Sequence, residues 1–436
     1  MALDPGTIQG EEAQVGNKTY VWDGIKWNLQ TVTPSVDTEH VQLSNPITFR
    51  SGRVNLDADG YPELVISQEW GPICIFKNEQ GKLQRRKTTV HLQNENKQEI
   101  ILPLDKLTGW WRGVASGDFN EDGLMDLVIA NWGRNDAYAA TPEKPLLLHG
   151  GPFARPGGTD LLEWMFDPDL NHYVSVRPYS DLREHLPSLR PIGSHAAFGK
   201  HTMMTLLQLL KTDVVPWEAG NLETTILLNH STHWVAASLP LEAQWAPVFS
   251  VNVGDINGDG HQDVFLSQNF FATRPYWPRL DAGQGLWLKG NGTGVFTPAT
   301  ASETGIRVLG EQRSSILGDV NQDGKIDLVV SQNALETRMF LNQGQEECVA
   351  VSLKGSRKNP RVVGATVRLE TSTGMGPALE VQAGSGYFSQ NSQQLLFGQS
   401  ATPKAIHVRW PGGKESQHPY DASSKVQFIK MPPRED

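Results

Sequence analysis

The sequence predicts an all-β protein, a β-propeller followed by a small β-sandwich-like domain, on three observations. Four acidic nine-residue segments align without gaps, and each leads into an apolar, strand-like run. The 436 residues include 42 glycines and 27 prolines, which favour frequent turns over long helices. After Gln345 the repeat stops and a different strand pattern begins.

The acidic segments recur at a regular spacing. They begin at Asn55, Asp118, Asp255 and Asp319, so the starts lie 63, 137 and 64 residues apart. Because 137 is close to twice 64, we expect one repeat that has lost its loop, near residues 155–235. A second apolar element follows each loop, as ICIFKN, LLLHGG, LWLKGN and MFLNQG, and a fifth copy, ILLNHS, is assigned to the loop-less unit. Such repeated antiparallel units predict at least five propeller blades.

Each acidic segment has the residue types that bind calcium. Ca²⁺ prefers roughly six to eight oxygen ligands, and each segment supplies side-chain oxygens at positions 1, 3, 5 and 9, a backbone carbonyl at position 7, and a glycine at position 6 for the turn. A plain Asp-Gly hairpin turn is the alternative, but it leaves several carboxylates to repel one another without a cation. We therefore expect up to four Ca²⁺ ions, with the carbonyl donor last in each set: Asn55, Asp57, Asp59, Glu63 and Tyr61; Asp118, Asn120, Asp122, Asp126 and Leu124; Asp255, Asn257, Asp259, Asp263 and His261; Asp319, Asn321, Asp323, Asp327 and Lys325.

Breaks in the repeat divide the chain into three regions. Residues 1–38 contain TYVWDGIKWNLQ, which predicts a separate hairpin, and residues 39–346 form the propeller. The propeller is interrupted at about 154–215 by an insertion whose segment Met203–Lys211 is the best helix candidate in the chain. Residues 347–436 contain short strand candidates separated by Gly, Pro and Ser, which is typical of a small β-sandwich.

Several motifs together resemble a known family. The acidic loops are similar to the FG-GAP/VCBS repeats of integrin α-subunit propellers, and KGSRKNPRVVGATVRL, GSGYFSQNSQQLLFG and VRWPGG carry the pattern of the ASPIC/UnbV domain. The whole resembles the cartilage-acidic-protein family, over roughly residues 40–430. This resemblance implies a seven-bladed propeller, a secreted or surface-exposed calcium-stabilised scaffold and an adhesive role. It supplies no catalytic residue.

A candidate ligand site lies beyond the second and third calcium strands. The segments 131–140 and 269–281 follow these strands in the same way, so we expect both on one propeller face, where they either bind a ligand by stacking or pack the seam between blades. The candidate residues are Trp132, Arg134, Asp136, Tyr138, Phe271, Arg274, Tyr276 and Trp277.

Two further motifs have less support. His230 and His233, at a hairpin tip, have the i, i+3 spacing of a transition-metal pair, but without an aligned carboxylate a plain surface turn is the favoured interpretation. His195 and His201 lie just before the helix candidate. In GSGYFSQN, Ser385 and Ser389 lack a matched His/Asp pair. Gly384 and Gly386 in the same motif predict a tight bend, and Tyr387 is expected to pack against the propeller.

Three function classes remain open. The first is a binding or adhesion module for a glycan, protein or small molecule, and the second is a cyclase- or lyase-type enzyme with an acid–base pair drawn from Asp136, Tyr138, Arg274 or Tyr276. The third is a structural spacer. Because no nucleophile or acid–base constellation stands out, the sequence favours the first.

Charge and composition restrict the partners and the compartment. A net charge of −10 argues against sequence-independent nucleic-acid binding, and no apolar run approaches the roughly 18–20 residues that span a bilayer. No signal peptide is visible, which indicates either a cytoplasmic protein or a mature form; the family resemblance favours a secreted, periplasmic or cell-surface location. Cys74 and Cys348 are expected to be free thiols, with one bridge between them as the alternative.

Overall fold

The computed structural model is mostly β, with 44% of residues in strands and 9% in helices. It describes residues 49–93, 97–155, 158–212, 214–274, 277–344, 346–399 and 401–433, together with three N-terminal strands. These strands, β1 (Glu12–Val15), β2 (Lys18–Trp22) and β3 (Trp27–Gln30), form one antiparallel sheet. The hairpin predicted from TYVWDGIKWNLQ is its β2–β3 pair.

Four sheets carry the acidic loops, and each loop joins two neighbouring antiparallel strands. The last residue before the loop pairs with position 9 of the loop in every case: Val54 with Glu63, Gly117 with Asp126, Gly254 with Asp263 and Gly318 with Asp327. The strand pairs are β4 (Phe49–Val54) and β5 (Glu63–Glu79), β10 (Val114–Gly117) and β11 (Asp126–Ile129), β18 (Val248–Gly254) and β19 (Asp263–Gln268), and β22 (Gln312–Gly318) and β23 (Asp327–Gln332).

Further strands extend these sheets outward. The first sheet is extended by β6 (Lys82–Arg85) and β9 (Thr108–Trp110). The third sheet is extended by β20 (Leu286–Gly290) and β21 (Phe296–Pro298), and the fourth by β24 (Leu335–Phe340). The second sheet is extended instead by β16 (Thr225–Asn229), β17 (His233–Ser238), β7 (Thr89–Gln93) and β8 (Glu99–Pro103).

The strand assignment around the second loop corrects the prediction. The ILLN segment was expected in a loop-less unit, but as β16 it pairs with β11 and completes the sheet of the second loop. The LLLHGG segment was expected to follow the second loop, but as β12 (Leu146–Gly151) it belongs to a separate sheet with β13 (Asp160–Asp167), β14 (His172–Ser175) and β15 (Trp217–Ala219). The ILLN strand therefore takes the place that was predicted for the LLLHGG strand, and the LLLHGG strand lies in the separate sheet.

The separate sheet packs against short helices through its own apolar core. This core includes Trp164, Leu182, Leu189 and Leu206. The helices of this region are α1 (Tyr179–His185), α2 (His195–Phe198) and α3 (Met203–Leu209), and α3 is the helix predicted from Met203. A fourth helix, α4 (Ala301–Thr304), lies later in the chain. The 3₁₀ turns are Leu104–Lys106, Pro187–Ile192 and Leu241–Gln244. No helix among the described residues is long and apolar enough to cross a membrane.

The first strands of the four loop-bearing sheets lie side by side. Strand β10 contacts β4 and β18, and β18 contacts β22, so the sheets follow one another in chain order. Separate apolar clusters around Trp111, Val264 and Leu328 fill the space within and between them. An all-β architecture is confirmed, but none of the described sheets closes, and the propeller with its blade number stays a prediction.

The C-terminal region contains two sheets around one core. They are formed by β25 (Val349–Lys354), β28 (Leu395–Phe397) and β31 (Val426–Lys430), and by β26 (Thr366–Thr371), β27 (Met375–Glu380), β29 (Pro403–Arg409) and β30 (Glu415–Pro419). The shared core includes Val351, Val367 and the fully buried Trp410. Cys74 and Cys348 are both buried free thiols, as expected.

Candidate functional site

The four acidic loops share one backbone conformation. Loop 1 (55–63), loop 2 (118–126), loop 3 (255–263) and loop 4 (319–327) each have positive φ at positions 4 and 6. At position 6 the glycines have φ of 85°, 88°, 92° and 86°. At position 4, Ala58, Glu121 and Gln322 adopt φ of 61–62° although they are not glycines, and Gly258 has 76°. Two left-handed residues in nine fold each loop back on itself, which brings alternate side chains toward one centre.

The position 9 carboxylate closes each loop. One oxygen accepts the N–H of position 2 at 2.8, 2.9, 3.0 and 2.8 Å in loops 1 to 4. The other oxygen accepts an N–H from the next strand of the sheet, from Asn229 at 2.7 Å in loop 2, from Gly290 at 2.9 Å in loop 3 and from Asn342 at 2.9 Å in loop 4. This residue therefore joins the loop to its sheet.

The position 1 side chain has an open oxygen in two loops. One oxygen of Asp118 accepts the N–H of Gly123 at 3.0 Å, and one oxygen of Asp255 accepts the N–H of Gly260 at 2.7 Å. The second oxygens, Oδ1 of both residues, are buried without a hydrogen-bond partner in the part of the chain that the structure describes. Because a buried carboxylate oxygen without a partner is costly, both positions fit a cation.

Loop 1 gathers carboxylates most closely. Oxygens of Asp57, Asp59 and Glu63 all lie within 4.8 Å of one another, a spacing that one metal ion can bridge. Lys77 lies beside them, with Nζ 2.8 Å from Asp57 Oδ2. Asn55 replaces the aspartate at position 1, and its Nδ2 is buried without a partner among the described residues.

The remaining predicted ligands line the open side of each loop. The position 5 carboxylates accept the N–H of position 7 at 2.8, 2.8, 2.9 and 3.1 Å in loops 1 to 4. The position 3 asparagines of loops 2 to 4 donate to the same carboxylates at 3.0, 2.7 and 3.0 Å. Ligation by the position 7 carbonyls of Tyr61, Leu124, His261 and Lys325 stays a prediction.

Burial changes the acidity of the loop carboxylates in the metal-free protein. It raises the pKa of Glu63, Asp126, Asp255 and Asp263 to about 7, and that of Asp118 to about 6. Neighbouring carboxylates add to the effect, most directly Asp263 and Asp259 on Asp255. A bound divalent cation would lower these pKa values, because a nearby positive charge favours the ionised form of a carboxylate.

The C-terminal domain contacts all four loops. In loop 2, Asp118 Oδ2 accepts the N–H of Ala378 at 2.8 Å, and in loop 1 the Asn55 N–H donates to Glu380 at 3.1 Å. The N–H groups of Gln399 and Cys348 donate to the carbonyls of Gly258 in loop 3 and Gly324 in loop 4, at 3.1 and 2.8 Å. The C-terminal domain is therefore docked on the four loops.

The candidate ligand residues converge, but within a packed aromatic cluster. Trp132 stacks on Trp110 with ring centroids 4.1 Å apart, and Tyr138 lies 5.0 Å from Trp277. Trp132 and Tyr138 are 6% and 9% exposed, which excludes them as open stacking platforms. Tyr276 lies outside the described residues.

The charged residues in and beside this cluster are paired with neighbouring side chains. Glu163 Oε2 accepts the Tyr138 hydroxyl at 2.8 Å and also pairs with Arg274. Asp136 accepts the indole N–H of Trp132, and Arg134 pairs with Glu223 at 3.0 Å. Phe271 alone is covered by an exposed cation, with Arg279 3.8 Å above its ring. These pairs pack the segments 131–140 and 269–281 against the separate sheet, and among the described candidate residues they leave no open acid–base pair.

The C-terminal GSGYFSQN segment forms a tight bend, as predicted. Gly384 and Gly386 have φ of 97° and 63°, and a Cβ on Gly386 would lie 2.5 Å from Ser250 Oγ. Tyr387 packs edge-on against Phe249 at 5.8 Å. Ser389 donates to the Ser385 carbonyl at 2.7 Å, so its hydroxyl takes part in the bend.

Two asparagines that the sequence pattern did not single out join the loops. Asn229 Nδ2 donates to the carbonyls of Leu56 in loop 1 and Met125 in loop 2, at 2.8 and 3.1 Å. Asn342 Nδ2 donates to those of Ile256 in loop 3 and Ile326 in loop 4, at 2.8 and 3.2 Å. The sequence signal for this joining role is the asparagine that ends the apolar elements ICIFKN, ILLN and MFLN. The element LLLHGG lacks it.

Comparison with known proteins agrees with this architecture. The FG-GAP-like repeat family matches residues 55–129, and the ASPIC and UnbV family matches residues 355–428. The chain thus carries an FG-GAP-like repeat and a C-terminal ASPIC/UnbV domain, and the predicted combination is confirmed.

Other comparisons add little. No curated protein matches the sequence significantly. Among solved structures, the V. cholerae biofilm matrix protein Bap1 is similar at 11% identity and a TM-score of 0.22, over 86% of this chain and 48% of that one. This chain therefore spans about half the length of the Bap1 chain.

Proposed function

We propose that the protein is a calcium-stabilised, extracellular binding module. The observation that carries calcium binding is the pair of buried, unpartnered oxygens of Asp118 and Asp255 in loops of one shared conformation. Each loop has enough oxygen donors for one Ca²⁺ ion, and the FG-GAP-like match covers loops 1 and 2. The ions are structural in this proposal, because the C-terminal domain covers the loops.

Partner binding is assigned to the opposite ends of the strands. There, around the end of β19, the structure exposes a distal surface that we define as Leu241, Trp245, Phe271, Arg279 and Leu309. Leu241, Trp245 and Leu309 are 68%, 42% and 55% exposed. Contacts tie the surface together: the Phe271 N–H donates to Glu311 at 2.9 Å, and the amide of Gln268 to the Glu242 carbonyl at 3.2 Å.

The composition of the distal surface suits a macromolecular partner. Aromatic residues and arginine are enriched in binding interfaces, and here they project from loops on a rigid sheet. The buried Tyr138 and the half-buried Glu163 and Arg274 are already paired with one another, which favours binding over the alternative of a cyclase or lyase.

Calcium removal tests the first half of the proposal. An ion bound only by the folded state stabilises it by about 2.7 kcal/mol per site at a hundredfold excess over Kd, so chelation should lower the melting temperature markedly. Asp259→Ala removes the position 5 carboxylate of loop 3 and should cost one bound ion per chain, measured by calorimetric titration. An unchanged melting curve in excess chelator, or unchanged stoichiometry in the variant, contradicts calcium binding.

Surface variants test the second half. Trp245→Ala and Phe271→Ala should weaken, by roughly tenfold or more, the capture of whichever polysaccharide or protein binds the calcium-loaded chain in an array screen. Phe428→Ala is the matched control, because Phe428 is 80% exposed but lies in the C-terminal domain. Equal losses in all three variants would remove the assignment to the distal surface.

A further inference from the structure

Three histidines from two separate parts of the chain meet on the second loop-bearing sheet, where β7 pairs with β17. The ring centroids of His91 and His233 are 4.3 Å apart, and those of His233 and His230 are 5.2 Å apart. His91 comes from β7, whereas His230 and His233 lie at the tip of the β16–β17 hairpin. We propose that this histidine cluster binds one divalent transition-metal ion, with zinc as the fitting class, apart from the calcium loops.

The fold brings these rings together through a parallel strand pair. His233 is in register with Thr89, and Val235 with His91, along β17 and β7. Within the hairpin, the His230 N–H donates to the His233 carbonyl at 3.0 Å, so both side chains flank one tight turn. The hydroxyl of Thr88 donates to the Thr232 carbonyl at 3.4 Å. This bond holds the turn against the start of β7, the strand that contains His91.

Hydrogen bonds orient two of the three rings. His91 Nδ1 lies 3.0 Å from Glu99 Oε1, and His233 Nδ1 lies 3.1 Å from the Thr232 hydroxyl. With Nδ1 engaged in both, Nε2 is the nitrogen left for a metal. A carboxylate on the far nitrogen of a metal-binding histidine is a recurrent supporting arrangement that raises its basicity. Glu99 is therefore a positioning residue.

The donor atoms of the cluster suit a transition metal. Neutral imidazole is a ligand for Zn²⁺, Cu²⁺ and Ni²⁺, whereas the all-oxygen loops suit Ca²⁺. The two kinds of site therefore select different metals.

Binding requires the histidine rings to turn, because among the described residues only loop 1 already holds three candidate ligand atoms within 4.8 Å of one another. Zn–N bonds of about 2.0–2.1 Å place tetrahedral nitrogen ligands about 3.3 Å apart, so the three Nε2 atoms must turn toward one point. His230 is exposed at the hairpin tip and can rotate to close the triangle. Three nitrogens then leave one coordination position for water or for a group from a partner.

Zinc titration of the untagged, calcium-saturated protein tests the site. We expect one zinc ion per chain, with a cobalt-substituted form showing the visible absorption of a tetrahedral nitrogen site. His230→Gln should weaken zinc binding by roughly 100-fold, and Glu99→Gln by roughly tenfold. His185→Gln, in an exposed helical histidine outside the cluster, should leave binding unchanged.

The outcomes separate the proposal from general effects on folding. His230→Gln should keep the melting temperature and the calcium stoichiometry of the parent chain, because the ring makes no contact with the loops in the described hydrogen bonds. Equal zinc affinity in the parent chain and in His230→Gln, or equal losses in His185→Gln, would overturn the site.

Discussion

At the scale of single residues, Asn229 joins two of the acidic loops. Its backbone N–H donates to Asp126 in loop 2, and its side chain donates to carbonyls of loops 1 and 2. The residue is 1% exposed, so water cannot replace these bonds. One side chain therefore fixes the distance between neighbouring loops.

Replacing this side chain should destabilise the protein without removing a metal ligand. Asn229→Ala leaves two buried carbonyls without a donor, and we expect a loss of about 1–3 kcal/mol in the free energy of unfolding, measured by urea denaturation in calcium. Asn291→Ala is the control, because Asn291 follows β20 in the third sheet and is exposed. Equal stability of the two variants would contradict the joining role.

At the scale of elements, each loop combines a local turn with buried charge. The turn depends on two left-handed residues and on carboxylate–amide bonds within nine residues. The closing carboxylates lie in the sheet core, where Glu63, Asp126 and Asp263 are fully buried. The loop is therefore locally encoded, whereas its ionisation depends on the surrounding sheet.

Stabilisation by calcium should increase with pH. The folded, metal-free protein holds five loop carboxylates at pKa values of about 6 to 7, above the roughly 4 expected when unfolded. A raised folded pKa adds stability below the unfolded value, and this stability is lost as pH rises through the folded value. The metal-free protein should therefore weaken between about pH 5 and 7.5, while calcium binds better as protons leave.

Melting temperatures across this pH range check the effect. The protein should be freed of metal on a chelating resin and compared with and without added calcium, because soluble chelators themselves weaken in acid. The calcium-induced increase in melting temperature should be larger at about pH 7.5 than at about pH 5.5. An increment independent of pH would contradict the raised pKa values.

At the scale of the whole molecule, the C-terminal domain rests on the loops. Backbone N–H groups of Ala378, Cys348 and Gln399 bond to three different loops, and the Gly412 N–H donates to Gly60 in loop 1 at 3.0 Å. The guanidinium of Arg368 donates to the Glu121 carbonyl in loop 2 at 3.0 Å. Any change in loop conformation therefore reaches this domain.

Removing calcium should loosen the docking of the C-terminal domain. The amide hydrogens of Ala378 and Cys348 should exchange roughly tenfold faster or more in chelator, as measured by hydrogen–deuterium exchange. Amides in the β26–β29 pair serve as the internal control, because their partners lie within the domain. Uniform acceleration would indicate general unfolding, and unchanged exchange would show that docking does not depend on the ions.

The sequence by itself determined the loops and their strands. Nine adjacent residues encode the acidic spacing, the glycine turn and the apolar run, so no distant contact is needed to recognise them. The strands after Glu63, Asp126, Asp263 and Asp327 begin where the pattern places them. The bend at Gly384 and Gly386 and the helix from Met203 were predictable for the same local reason.

Only the tertiary structure decided which distant segments meet. The pairing of β11 with β16 crosses about a hundred residues, and β12 has an apolar pattern equally suited to that place. His91 lies beside the hairpin of His233 only because β7 and β17 pair in parallel. The candidate ligand residues form a packed cluster because the separate sheet of β12 to β15 packs against them. Apolar patterns specify that a strand is buried but not its neighbour, because burial is non-directional and pairing is settled by the packing of the whole chain.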